Sequence, residues 1–217
     1  MSVIPTLPIM VCAVAVAGLL MAEARGSQRG LWLAKPVASA AFLWTAVAVG
    51  ALESVYGRWV FLGLVLCLVG DVLLIPRQRP AVFRAGVLAF LLGHVAYGVG
   101  FLTQPVNGWG LAAGGALMAL VLVATWRWLA GSLPADMSGA VRAYFVVIGV
   151  MATLACGVSA AGGPLAVATG ALAFAASDVS VARDRFVRHE FFNRAWGLPL
   201  YYAAQVLLAL TPAWIQA

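Results

Sequence analysis

The feature that most constrains this chain is a succession of eight apolar runs joined by short polar connections. A membrane-crossing helix needs about 20 mainly apolar residues. Runs of that length fall near residues 3–22, 31–51, 58–75, 82–103, 108–129, 139–161, 164–182 and 197–215. Hydrocarbon offers no partner to backbone N–H and C=O groups, so such segments must satisfy themselves internally as helices. The expected fold is all-α: a polytopic membrane helix bundle of about eight spans, forming one integral membrane domain over 1–217. Composition agrees. Hydrophobic residues make up 64% of the chain and charged residues only 9%, against about 25% charged in a soluble domain. Too little polar side chain is present to cover a water-soluble globule. A cytosolic enzyme, a disordered chain and a nucleic-acid binder are thereby excluded. The net charge of +6 does not reopen the last, because the cations sit between apolar runs.

Those cations also predict orientation. All but one of the 13 Lys and Arg residues fall at the odd-numbered connections; Arg58 is the exception. Cytoplasmic loops carry the excess of Lys and Arg, so the odd connections are expected inside and both termini outside. The Ala-, Val-, Gly- and Arg-rich make-up reads as bacterial, which would put the protein in the inner membrane. Ala22-Glu23-Ala24 resembles a signal-peptidase site, but no Lys or Arg precedes the first run, so a retained helix is expected. Cys12, Cys67 and Cys156 are far apart inside apolar runs and suggest neither a disulfide framework nor a metal site. The connection Arg183–Trp196 interleaves Phe and Trp with charges and is a candidate interfacial helix.

An offset of 107 residues places Lys35 on Arg142, Gly63 on Gly170, Asp71 on Asp178 and His94 on Tyr201. Residues 1–107 and 108–217 are therefore candidate parallel repeat halves, a known device in membrane proteins.

Ionisable groups inside a membrane are costly and mark function by default. Asp71 and Asp178 are the two acids within apolar runs, at matching depth. Each alone could simply pair with a cation such as Lys35 or Arg142 and pin two helices together. Together they suggest a shared site, because two neighbouring carboxyls can hold one proton between them and supply a general acid and a general base. Around them stand His94 and Tyr97 on one face of the fourth span, and Tyr201 and Gln205 on one face of the eighth, with Tyr202 beside them. Interhelical hydrogen bonding explains these side chains equally well at this stage. Asn193 and Glu190 lie at the entrance. Nucleophile-elbow, zincin, Walker and dinucleotide-binding motifs are absent.

Five pieces in order then carry a resemblance. They are Lys35-Pro36, Gly70-Asp71, Gly93-His94-Val95-Ala96-Tyr97, Ser177-Asp178 and Tyr201-Tyr202-Ala203-Ala204-Gln205. Over nearly its whole length the chain resembles the YhhN-type lysoplasmalogenase family. That resemblance implies hydrolysis of the vinyl ether bond of a lysoplasmalogen to a fatty aldehyde and glycerophosphoethanolamine or glycerophosphocholine. It implies Asp71 and Asp178 as the catalytic pair and neither cofactor nor metal. The expected partners are the lysophospholipid substrate and membrane lipid, with no nucleic acid; the oligomeric state is open. The expected substrate-binding residues are Lys35, Arg142 and Arg194 for the head group, with His94, Tyr97, Asn193, Tyr201, Tyr202 and Gln205 lining or flanking the cavity. Two alternatives remain at this stage. One is a small transporter or lipid-binding protein with proton-coupling aspartates. The other is an ester or amide lipid hydrolase using a metal-bound His cluster, although His94 and His189 are the only histidines.

Overall fold

The computed structural model describes residues 5–76 and 78–215. Arg77 and the first two residues of the expected first span lie outside the described residues. Eight helices run in order: α1 (Thr6–Ala24), α2 (Gln28–Ala48), α3 (Val55–Leu73), α4 (Pro80–Leu102), α5 (Gly108–Leu129), α6 (Ala135–Ala160), α7 (Leu165–Ala182) and α8 (Phe191–Ile215). All eight are long and apolar enough to cross a membrane, and no strand occurs among the described residues. The expected helical bundle is therefore observed.

Local chemistry sets the helix ends. The hydroxyls of Ser27 and Ser54 accept from the amides of Gly30 and Gly57, and the Asn107 side chain accepts from Trp109 and Gly110, each satisfying N–H groups that the first turn leaves free. After α2 the chain turns through Gly50 at φ 76°, a left-handed conformation that glycine enters without steric cost. Inside α8, Pro212 cannot supply the amide that Leu208 would receive. The Thr211 hydroxyl donates to the Leu208 carbonyl instead, at 2.7 Å.

Several boundaries move by a few residues, two of them with consequences for the fold. Helix α6 begins four residues earlier than the apolar run, at Ala135, and α8 begins at Phe191 rather than near 197. There is accordingly no separate interfacial helix. Helix α7 runs on through one wide π turn at Arg183–Val187, and after a short extended stretch α8 starts at once. Charged residues are costly within a span, yet at a helix end they reach water or each other.

Packing follows a regular order. Helices pair as α1 with α2, α3 with α4, α5 with α6 and α7 with α8; α2 packs on α3 and α6 on α7; α4 packs on α6 and α8 on α2. Close approach is achieved by small residues. At Gly197 a Cβ would collide with the Ser180 side chain of α7. Overpacking of this kind costs about 1–3 kcal/mol. Gly197→Ala is therefore expected to lower the thermal midpoint in detergent, and Ser180→Gly in the same chain should recover much of the loss. Equal midpoints for wild type and Gly197→Ala would show that α7 and α8 do not need this contact.

Candidate active site

Lys35, Asp71, Asp178 and Tyr201 all line one cavity. It opens at the end of the bundle where the odd-numbered connections lie, here called the basic end. Much of the remaining wall is apolar, with Phe83 and Phe90 from α4, Met118 and Leu122 from α5, and Phe145 and Ile148 from α6. Both acids sit near the C-terminal ends of their helices, α3 and α7, which brings them to the same depth.

Asp71 is 2% exposed and lies 3.2 Å from the Lys35 ammonium. The Ser39 hydroxyl donates to its Oδ2 at 2.7 Å, and the Tyr201 hydroxyl donates to the same oxygen at 2.7 Å. Ser39 is one turn after Lys35 on α2, so a single helix face presents both groups. Lys35 also donates to the Asp71 carbonyl at 3.2 Å. The ammonium brings a positive charge to the carboxyl, and both hydroxyls have a proton they can give it. Tyr202 supports this arrangement from behind: its hydroxyl is 3.3 Å from Ser39 Oγ and 3.5 Å from the Lys35 carbonyl.

Asp178 is held differently. It is 20% exposed and faces a ring, not an ammonium. Tyr144 on α6 donates to its Oδ2 at 2.9 Å. His94 Nε2 stands 3.6 Å from the same oxygen. The other nitrogen, Nδ1, is 2.7 Å from the Phe90 carbonyl. A carbonyl only accepts, so Nδ1 carries the proton, and in a neutral imidazole Nε2 is then an acceptor. Nε2 is buried without a hydrogen-bond partner. The ring is fixed by Phe174 at 4.2 Å and Tyr144 at 5.3 Å between centroids. At 3.6 Å the nitrogen and the carboxyl oxygen are close without a hydrogen bond between them. Asp71 thus has an ammonium beside it, and Asp178 has none among the described residues.

Each acid meets a ring from the other half of the chain. Tyr201 on α8 bonds Asp71 on α3, and His94 on α4 faces Asp178 on α7. These are the two rings that the 107-residue offset superposes.

The remaining expected site residues divide into three groups. Asn193 and Arg194 line the cavity but are bonded into the connection between α7 and α8. Asn193 donates to the Arg188 carbonyl at 2.7 Å and accepts from Arg183. Arg194 pairs with Asp184 at 2.8 Å and Glu23 at 3.4 Å. Tyr97 and Gln205 form a buried pair of their own at 2.6 Å, off the cavity wall. His94 and Tyr202 also stand behind the wall rather than in it. Arg142 points elsewhere, with its guanidinium 4.8 Å above the Trp126 ring. Ser39, Tyr144 and Arg185 were not singled out in the sequence, yet all three reach this site or its mouth. For Ser39 the signal was available in its i, i+4 relation to Lys35, and for Tyr144 in its place within an apolar run. Among the described residues no three His, Cys, Asp or Glu side chains converge as the ligands of a metal would.

The model of the YhhN family matches residues 30–211. The chain belongs to the YhhN family. This YhhN protein is 34% identical over 158 residues to lysoplasmalogenase TMEM86A of Bos taurus, covering 70% of this chain and 64% of that protein. Against lysoplasmalogenase TMEM86A of Homo sapiens it is 33% identical over 158 residues, with the same shares covered. The YhhN chain thus spans a little under two thirds of the length of these curated relatives. No solved structure matches it.

Proposed function

We propose that this YhhN protein is a membrane hydrolase that cleaves the vinyl ether bond of lysoplasmalogens, with Asp178 as general acid and Asp71 as the partnering carboxylate. The observation that carries this reading is that two acids share one cavity with unlike surroundings, one beside an ammonium, the other beside a tyrosine hydroxyl and a neutral imidazole. The relatives named lysoplasmalogenase support the same reaction.

The chemistry is consistent with such a pair. Asp178 gives its proton to the outer carbon of the C=C bond. The carbon attached to oxygen becomes an oxocarbenium ion, which the Asp71 carboxylate stabilises electrostatically. Water adds to that carbon and loses a proton to a carboxylate, giving a hemiacetal. The hemiacetal collapses to a fatty aldehyde and the free glycerol hydroxyl, and the products are the aldehyde and glycerophosphoethanolamine or glycerophosphocholine. The acid recovers its proton within the cycle. The role of His94 is to position: its ring, packed on Phe174 and Tyr144, holds Nε2 3.6 Å from Oδ2 of Asp178 and fixes the surroundings of that carboxyl. The apolar wall from α4, α5 and α6 suits the alkenyl chain.

The charge distribution supports an orientation with the basic end in the cytoplasm and both termini outside. The repeated helix pairing and the exchanged rings support residues 1–107 and 108–217 as duplicated halves.

The test is direct. Protein purified in detergent and given a lysoplasmalogen should release aldehyde, and Asp71→Asn and Asp178→Asn should not. Lipid binding by intact protein with no aldehyde from any vinyl ether would favour a transporter or lipid-binding protein instead. As a finer check, His94→Phe keeps the packing against Phe174 but removes the acceptor, and should lower kcat more than it changes KM. A purely structural histidine would lower the thermal midpoint and leave the turnover of the folded fraction at the wild-type value.

A further inference from the structure

The charged groups of the cavity do not all cancel. Lys35 is paired with Asp71, and Arg194 with Asp184 and Glu23. Two lining groups are left: Asp178 at depth and Arg185 at the mouth. Arg185 is exposed, and its guanidinium lies 4.2 Å over the ring of Phe83. No ion pair among the described residues includes it. Stacking on a ring face holds the flat guanidinium in place and leaves its N–H edges directed outward.

The backbone explains why the side chain is there. Arg185 lies within the π turn, whose i→i−5 bond runs from the Arg188 amide to the Arg183 carbonyl at 2.8 Å. Such turns are rare and concentrate at functional sites. Arg185 follows Asp178 by seven residues on one continuous helical path, so it stands about 10 Å nearer the basic end. An extended glycerol phosphodiester, from its phosphorus to an ether at the far glycerol carbon, covers a little over half of that rise, and the two side chains cover the rest.

We propose that Arg185 binds the phosphodiester of the lysophospholipid substrate and so sets which ether bond arrives at Asp178. This rests on the vinyl ether reading above. It replaces the earlier expectation for Lys35 and Arg194, whose charges are engaged by Asp71 and by Asp184 with Glu23, and for Arg142, which does not line the cavity. An Arg presents a planar fork of donors matched to two phosphate oxygens, while the head-group amine need not be read at all.

Two substrates separate the possibilities: 1-alkenyl-glycerophosphoethanolamine, and 1-alkenylglycerol, which lacks the phosphate. Hydrogen bonds to a charged partner are worth about 1.5–3 kcal/mol, or roughly 10- to 100-fold. In Arg185→Ala the ratio of kcat/KM for the phosphate-bearing over the phosphate-free substrate is expected to fall by that factor, mainly through KM. Arg185→Lys should recover part of it. Taking a ratio of substrates in one preparation removes the influence of folding. An unchanged ratio in Arg185→Ala overturns the proposal. Wild-type protein that cleaves neither substrate overturns the vinyl ether reading itself, and the role of Arg185 with it.

Discussion

Asp178→Asn is expected to lower kcat for vinyl ether cleavage by about 10²- to 10⁴-fold, the usual worth of a positioned general acid. The substitution is nearly isosteric. Its amide oxygen can still accept from Tyr144, which donates to the carboxyl at 2.9 Å, so the fold should persist. What it removes is the transferable proton. Protonation of carbon is the difficult step of enol ether hydrolysis, so the wild type should also show a solvent deuterium isotope effect on kcat. A folded Asp178→Asn protein with turnover within a few-fold of wild type would sink the assignment. If instead Asp71→Asn loses activity while Asp178→Asn does not, the acid and the partnering carboxylate are the other way round.

The second large effect concerns stability. Lys35→Met is expected to destabilise the protein by about 3–5 kcal/mol, the usual cost of leaving one partner of a buried ion pair without the other. The geometry makes this severe. Asp71 is 2% exposed, and the ammonium beside it at 3.2 Å is its only cationic partner among the described residues. Met fills similar space and keeps the helix. The decisive comparison is the double variant Lys35→Met with Asp71→Asn, which removes the charge along with its partner. Its thermal midpoint should lie above that of Lys35→Met alone. Equal loss in the single and double variants would mean that packing, not pairing, is what Lys35 supplies.

How much of this could be seen in the sequence differs by level. Hydropathy alone marks all eight helices, because a bilayer imposes length and apolarity on every residue of a span. Asp71 and Asp178 are equally visible, since a carboxyl in an apolar run has no cheap explanation. Partnership is a different matter. Each residue advances a helix by 100°, so a small rotation or shift of one helix decides which neighbour a side chain meets. Lys35 and Arg142 look equivalent in the sequence, yet one reaches Asp71 and the other turns out to Trp126. Tyr144, two residues beyond Arg142, is the group that faces inward to Asp178. The connection at 183–196 is misread for a related reason. Its charges satisfy one another, as Arg194 with Asp184 and Arg188 with Glu190 at 2.6 Å, so they form a tied helix end in place of a separate interfacial helix.

The exchange of rings across the chain has one further consequence. Helices α1–α4 contain Asp71 but not the Tyr201 that bonds it, and α5–α8 contain Asp178 but not the His94 that faces it. Neither set of four can complete either acid's surroundings by itself. A chain of only four such helices would have to pair with a second copy, and in that pair the two sites would be identical by symmetry. Joining the two sets in one polypeptide removes that constraint. Ser39 and Lys35 on one side, with Tyr144 and a histidine on the other, are differences that a symmetric pair could not maintain, and they give two aspartates at the same depth unlike partners.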